Sequence, residues 1–498
     1  MSEMHAAMDT IAFYNRPQYR FFMVAAARLL KQRNAGRLIM YCSTRQEEKF
    51  YEEYSRGQPF DEVIIARSLY ADIEKPLDEE DVLRRATQLE GKLGITLNKL
   101  MVPDRHYGRG YMLGGFHHPT SRYSDRTYTE AVAAFCAVLT FWENEIKHQN
   151  IKLIVNAPRQ AAQMARYFAI PYRTLAASRF ENYHYWAWSE LYECPRFQPT
   201  WEAMQGNPDA VPDAPYYGHI VSRNRMRHSM TLRATLKSLF MHTARVSYWK
   251  LRGYEKGRGY HYLDSLRFIW RIYTENRKLK KTATTRLSDL KGKRFVYMPL
   301  HIEPEFALQG LSPEYFYQHA MIAAISRDLP AGVYLAVKEH FGAVGRRPAD
   351  FYDQIKALKN VVLLEMWESG FECCRQADVV ATICGTSGLE GLINGNPVIS
   401  FGRNNIYNFL PGVQVVRDEV ELPAMLRKAL NGDVTEDDIR SGAARFVAAV
   451  RACSFDMSKY DHFDVANYDS GSVSGAVDAL LDSIQGDPNA AVKQDSVA

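Results

Sequence analysis

Long apolar runs are missing from this chain. No uninterrupted apolar stretch of about 18 residues occurs, so a transmembrane helix is not expected and any membrane contact would be peripheral. Cysteine is scarce. The seven residues Cys42, Cys136, Cys194, Cys373, Cys374, Cys384 and Cys453 form no CxxC pair, and so few and odd a number for 498 residues argues against a disulfide framework. A reducing cytoplasm fits that usage. The opening residues "MSEMHAAMDTIAFYNRP" lack the basic-then-apolar order of a signal peptide. Charge of one sign is also missing on average, because the net charge is only +5 and names no partner. Neither a Walker A loop nor a GxGxxG turn is present in the Gly-rich segments.

What is present is an ordinary globular composition, with 46% hydrophobic and 24% charged residues. The length implies two to four domains. Segments with helical apolar spacing alternate with short apolar runs of strand type, the order that builds α/β layers. "FFMVAAARLLKQRNA", "GRLIMYC", "TRQEEKFYEEYSRG" and "DEVIIAR" open this rhythm, and a long helix over 127–150 feeds the strand "IKLIVNAP". A Pro-, Asp- and Gly-rich stretch at 200–215 reads as a linker. Residues 221–281 then carry 16 Lys or Arg against 3 Asp or Glu, interleaved with aromatics. From "GKRFVYMPLH" at 292 the strand-helix rhythm resumes, which predicts a parallel sheet covered on both faces. The expected domains are 1–215, a basic helical insertion or linker at 216–290, a second α/β domain at 291–484, and a disordered tail at 485–498.

The stretch "ATICGTSGLEGLINGNPVISFG" (381–402) passes from a strand through Gly-Thr-Ser-Gly into a helix. The first N–H groups of such a helix lack partners and point into the turn, so a phosphate fits there. Gly385 and Gly388 would let a ligand approach, and Thr386 and Ser387 add hydroxyl donors. Glu390, on the first turn, is placed to reach sugar hydroxyls. The plainer alternative is a side-chain cap by Thr386 or Ser387. Three more predicted strands end in polar groups. His301, Glu303 and Glu305 follow "FVYMPL", Lys338, Glu339 and His340 end "VYLAVKEH", and Glu365 ends "VVLLE". Ligands of open α/β sheets collect at the carboxyl ends of strands, so this convergence marks a candidate site.

The N-terminal half is less specific. "VPDRHYGRGYMLGGFHHP" is a Gly-rich loop holding Asp104, His106, His117 and His118, the candidates for a catalytic base. His117 and His118 are adjacent and point apart on extended backbone, which argues against a shared metal. The basic aromatic segment 221–281 suits an anionic membrane surface, an acidic polysaccharide or nucleic acid, or else a helical packing element.

"FVYMPLHIEPE", "LPAGVYLAVKEH", "GRRPADFY", "NVVLLE" and "GTSGLEGLINGNPVISFG" together resemble the bacterial capsular polysaccharide biosynthesis proteins over about residues 292–405. That group is similar to β-Kdo transferases and, more distantly, to bacterial sialyltransferases. The resemblance implies a GT-B glycosyltransferase: two Rossmann-like domains facing a cleft, the donor held by the C-terminal one. It implies a CMP-sugar such as CMP-Kdo, with His340, Thr386 and Ser387 at the phosphate and Glu365 beside the base. The sequence reads His340–Phe341 where those relatives have His-Pro, and Glu390 in a ribose-binding place would suit a UDP-sugar instead. The acceptor would be a glycan or glycolipid at the inner leaflet. No cofactor or metal is expected, since no DxD-like motif stands in the C-terminal half, and nucleic acid is not the expected partner. A nucleotide-sugar epimerase or hydrolase similar to the UDP-GlcNAc 2-epimerases is the alternative within the same chemistry. A non-catalytic scaffold or nucleic-acid-binding protein using 221–281 is the alternative outside it.

Overall fold

The computed structural model describes residues 10–54, 59–69, 71, 73, 76–104, 126–204, 217–253, 262–303, 308, 311–315, 317–458, 460, 473–485 and 487. The chain divides into two compact units. The first comprises Met1–Met101, Arg126–Thr200 and Val450–Ala498, and the second Val102–Asp125 and Trp201–Ala449.

The first unit is built on seven strands: β1 (Thr10–Tyr14), β2 (Arg37–Cys42), β3 (Glu62–Ile65), β4 (Leu153–Val155), β5 (Tyr172–Ala177), β6 (Tyr183–Ala187) and, from the far end of the chain, β13 (Phe455–Asp456). Their order is β13-β6-β5-β4-β1-β2-β3. β1 lies at the centre with Ile11 opposite Leu38 on one side and Leu153 on the other, both parallel. A strand covered on both faces must be apolar throughout, and Ile11, Ala12 and Phe13 are fully buried. β6 and β13 join antiparallel. The covering helices carry their own stop and start signals. Tyr128–His148 opens with a Thr127/Glu130 capping box and closes on Lys147 and His148. Glu79–Leu93 starts at the Asp78 cap and ends at Gly94 in the left-handed region (φ 66°).

The C-terminal segment corrects two expected boundaries. Residues from 450 on belong to the first unit rather than to a second domain reaching 484. Hydrophobic packing decides this: Phe455 stacks on Phe22 at 6.2 Å, and Ala476, Val477 and Leu480 of the helix Ser474–Gln485 share a core with Phe22 and Trp186. Nor does the ordered chain stop at 485. Asp487 is buried and meets the fully buried Arg173 at 2.7 Å, because a guanidinium taken out of water needs a counter-charge. The same arginine donates to the Ser483 carbonyl and hydroxyl and to the Tyr172 carbonyl, and stacks on Trp188 at 4.2 Å.

The second unit contains β7 (Arg294–Pro299), β8 (Val333–Lys338), β9 (Val361–Leu364), β10 (Val379–Thr382), β11 (Val398–Ser400) and β12 (Val413–Val415) in the order β12-β11-β10-β7-β8-β9. Every pairing is parallel. Numbered within the unit this is 3-2-1-4-5-6, the doubly wound Rossmann order, with the strand order reversing between β7 and β10. The fold class is therefore α/β, with two units of Rossmann type.

The basic segment, expected at 216–290 as an insertion between domains, is part of this second unit. It forms the helices Tyr217–Ser229, Leu232–Leu251 and Tyr262–Thr282. The last of these is fastened to the loop after β8. Arg271 and Lys278 donate to the carbonyls of Arg347 and Ala349, and Ile272 covers Gly345. Gly345 has φ +84°, and an added Cβ would lie 3.3 Å from the backbone of Ile272, so both the turn and the close helix require glycine.

Candidate functional site

At the switch point of the second unit the chain leaving β7 meets the chain leaving β10. His301 stands two residues beyond β7, and its Nε2 accepts from the backbone N–H of Ile383 (3.2 Å) and of Cys384 (3.4 Å). An acceptor Nε2 puts the proton of the neutral ring on Nδ1. Behind the turn, the Thr382 hydroxyl oxygen accepts from the Gly385 N–H and from the Ser387 hydroxyl. Thr386 precedes the helix Ser387–Ile393 in a right-handed conformation and makes no side-chain cap, so the plain capping alternative fails for it. The first N–H groups of that helix have no intrahelical acceptor by construction.

The two glycines of the turn serve a different purpose from the one expected. A Cβ on Gly388 would fall 2.3 Å from the Tyr407 hydroxyl, and one on Gly385 would fall 2.8 Å from Cε1 of His301. The Tyr407 hydroxyl also donates to the Gly385 carbonyl at 3.0 Å. Gly388 was expected to leave room for a ligand. The room is taken by the Tyr407 ring, which packs where a side chain would stand.

Glu303 is likewise not a ligand group in this structure. Arg347, 3% exposed, donates through Nη1 to Glu303 at 2.8 Å and through Nε and Nη2 to Glu339 at 2.9 and 3.0 Å. Its Nη2 also reaches the His301 carbonyl at 2.6 Å. Tyr352 donates to Glu339, and Gln318 links Glu303 to both backbone groups of His301. Burial opposes the charge on Arg347, but the two carboxylates outweigh it and raise its pKa above that of a free arginine. This satisfied network fixes the backbone on which His301 and His340 ride. Glu339 was visible in the sequence as a polar residue at a strand end, and Arg347 stands in the Gly-rich loop that follows. Gln318 and Tyr352 gave no signal, because they stand on helices whose apolar spacing alone is legible.

His340 caps the short turn Phe341–Ala343, its Nδ1 accepting from the Gly342 N–H at 3.0 Å, so its neutral ring carries the proton on Nε2. Its ring lies 4.4 Å from that of Phe341. Lys338 and Glu390 form a second polar pair deeper in the sheet edge. Burial pushes the Lys338 ammonium down, with Cys373, Glu339 and Glu390 opposing. Burial pushes the Glu390 carboxyl up to about 7, with Lys338 and the Cys374 thiol pulling the other way. Cys374 Sγ is 3.9 Å from Glu390 Oε2. Glu365 does not join these groups. It ends the edge strand β9 and pairs with Arg286 at 3.3 Å. Asp104 is half-buried just past the helix Leu97–Met101. His106, His117, His118 and Glu305 lie outside the described residues. Among the described residues, no three His, Cys, Asp or Glu side chains are grouped to hold a metal ion.

Comparison with known families now bears on this geometry. Residues 211–418 match the family described as capsule polysaccharide biosynthesis protein. The match encloses the motifs at 292–405 and takes in the basic helices as well. No curated protein sequence matches the chain. Among solved structures, similar ones include a β-Kdo 2,7 transferase, KpsC, from Thermosulfurimonas dismutans, at 13% identity and a TM-score of 0.30, covering 61% of this chain and 80% of that one. The UDP-GlcNAc 2-epimerase of Methanocaldococcus jannaschii in complex with UDP-GlcNAc and UDP is 11% identical, with a TM-score of 0.27 over 89% of this chain and 99% of that one. The UDP-GlcNAc 2-epimerase of Neisseria meningitidis bound to UDP-GlcNAc is 10% identical, with a TM-score of 0.27 over 89% and 97%. None of these scores is high enough to carry an argument about this chain.

Proposed function

We propose that this protein is a glycosyltransferase of surface-polysaccharide assembly and that its second unit holds the nucleotide-sugar donor. The observation that carries the reading is the turn Ile383–Ser387 at the sheet's switch point, inside the segment that matches the capsule family. In glycosyl transfer the acceptor oxygen bonds to the anomeric carbon, the carbon–phosphate oxygen bond breaks with its electron pair going to the nucleotide, and the acceptor proton goes to a base. The leaving phosphate needs donors already in place. Here these are the first helical N–H groups, the hydroxyl of Thr386 and the Nε2–H of His340, while Ser387 shapes the turn through its bond to Thr382. Lys338 adds positive charge, and Glu390, whose carboxyl burial pushes up to about 7, is in its protonated form a donor instead of a repelling anion. His301 acts as a brace that holds the turn open. The base is sought among Asp104, His106, His117 and His118.

The donor favoured is a CMP-sugar such as CMP-Kdo, with a UDP-sugar as the competitor. Melting-temperature shifts with CMP, CDP, UDP, GDP and ADP separate them, because a ligand that binds only the folded state raises the melting temperature. Stabilisation by CMP or CDP, reduced by Ser387→Ala and by His340→Ala, is the expected outcome. A shift with none of the five nucleotides would overturn the reading.

We also propose that the basic helices dock on an anionic lipid surface from the cytoplasmic side. Among the described residues no helix is long and apolar enough to cross a membrane. The helix Leu232–Leu251 nevertheless exposes Leu232, Leu236, Phe240 (71%) and Leu251 (86%) among Arg233, Lys237, Lys250 and Arg252. Apolar side chains flanked by cations complement anionic headgroups. Equal sedimentation with neutral and anionic liposomes would refute it.

A further inference from the structure

The second unit holds a cavity that the donor site does not use. It is an open cavity of about 400 Å³ between the basic helices and Trp367, three residues beyond β9, and its lining includes Arg227, Asn276, Arg277, Lys280 and Lys281. That volume lies in the range of small-ligand sites. No acidic residue is in the lining. Among the described residues none of the four cations has a carboxylate partner. Arg227 and Arg277 instead lie against the rings of Trp367 and Tyr273, at 5.9 Å each. Four like charges around one concavity are mutually repulsive, and an anion relieves the repulsion.

Two buried polar atoms specify more than charge. The Trp367 Nε1–H and the Asn276 Oδ1 are shielded from solvent and have no hydrogen-bond partner. Asn276 is only 3% exposed, and its Nδ2 faces the Met230 carbonyl, which makes Oδ1 the unpartnered atom. Leaving either group unpaired is costly, because it has given up water without gaining a partner. A sulfate supplies only acceptors, so it pairs the indole N–H and leaves Asn276 Oδ1 unpaired. A ligand with both hydroxyls and an anionic group pairs both atoms.

We infer that this cavity is a binding subsite for an acidic saccharide, the anionic sugar of a glycan chain. The inference rests on the glycosyltransferase reading and assigns that enzyme an acceptor-chain contact outside the donor site. The two sites are linked: Trp367 stacks on Phe341 at 6.5 Å and 6°, and Phe341 lies against His340. A chain seated in the cavity is separated by two aromatic rings, Trp367 and Phe341, from the residue assigned to the leaving phosphate.

The test titrates the full-length protein by calorimetry with a galacturonic acid tetrasaccharide and with the neutral galactose tetrasaccharide. The triple variant Arg227→Gln, Arg277→Gln, Lys281→Gln changes only exposed side chains and is expected to fold. The acidic tetrasaccharide is expected to bind at least tenfold more tightly than the neutral one, and the variant to lose at least tenfold of that affinity. Asn276→Ala is expected to weaken the saccharide but leave sulfate binding unchanged. The nucleotide melting shift serves as the separate readout of the donor site and is expected to persist in the triple variant. Equal binding of the two saccharides, an unaffected variant, or a cavity that takes inorganic phosphate or phosphatidylglycerol vesicles but no acidic saccharide would each overturn the inference. Loss of the nucleotide shift in the wild type would sink the donor reading and leave the saccharide result standing on its own.

Discussion

Each unit buries one arginine beside its sheet, and the two are used differently. Arg173 in the first unit has one carboxylate, Asp487, and three oxygens of neutral groups. It holds the end of the chain against β5. Arg347 in the second unit has two carboxylates and the His301 carbonyl, and it holds the strand ends from which the candidate donor site projects. Both charges are dry, so neither is a cheap interaction. A buried pair is weak evidence of net stability but strong evidence that its geometry matters, because removing one member strands the other. The first arginine spends that rigidity on closing a fold. The second spends it on shaping a polar edge.

The largest expected effect breaks the second device. Arg347→Met leaves Glu303 and Glu339 buried without a cation and should destabilise the second unit by about 5 kcal/mol, the upper end for a broken buried pair. Asp487→Asn leaves Arg173 its three neutral acceptors and should cost the first unit about 3 kcal/mol, the lower end. Hydrogen exchange followed peptide by peptide reads the two units separately. An Asp487→Asn loss equal to that of Arg347→Met would remove the distinction drawn between the units. Deleting 486–498 should match Asp487→Asn and add little to it, since both act through the same pair.

Much of the second unit was legible. Buried parallel strands announce themselves as apolar runs, and "FVYMP", "VYLAV", "VVLL", "DVVAT" and "PVIS" became adjacent strands in Rossmann order. His301, His340, Thr386 and Ser387 were legible because polar residues just past buried strands stand out against the pattern. Their division of labour was not. Whether a glycine makes room for a ligand or for Tyr407, nineteen positions later in the chain, depends on how the loop after β11 folds back, and no local pattern encodes that. Glu303 failed for the same reason, since its partner Arg347 arrives from a different loop. In the first unit the misses were all long-range. β6 and β13 are short and only partly apolar, and their pairing joins residues 183–184 to 455–456. Asp487 looked like part of a polar tail because its partner is more than 300 residues away.

A smaller effect sharpens the account of the turn. Gly388→Ala places a methyl group within the Tyr407 ring and should cost about 1–3 kcal/mol by overpacking. If Gly388 faced a ligand, the substitution would leave stability unchanged and abolish nucleotide binding. If it faces Tyr407, the double variant Gly388→Ala, Tyr407→Leu should recover part of the lost melting temperature. No recovery would return the glycine to the ligand.

The last effect is a pH dependence confined to the second unit. Burial holds the Glu390 pKa at about 7 in the folded state, against an ordinary value of 4.5. The folded state therefore binds the proton more tightly than the unfolded one, and the stability this contributes is complete below about pH 4.5 and lost as pH rises to about 7. The full swing is on the order of 3 kcal/mol, the attraction of Lys338 for the ionised form being already contained in that pKa. Glu390→Gln should flatten the slope of second-unit stability between pH 4.5 and 7, while the first unit's profile is unchanged. The same proton bears on the donor. Ionising Glu390 adds a negative charge on the first turn of the helix that receives the phosphate, so nucleotide affinity should fall between pH 6 and 8 in the wild type and stay level in Glu390→Gln. A wild-type affinity that holds constant across that window would remove Glu390 from the donor site and leave its raised pKa a property of packing alone.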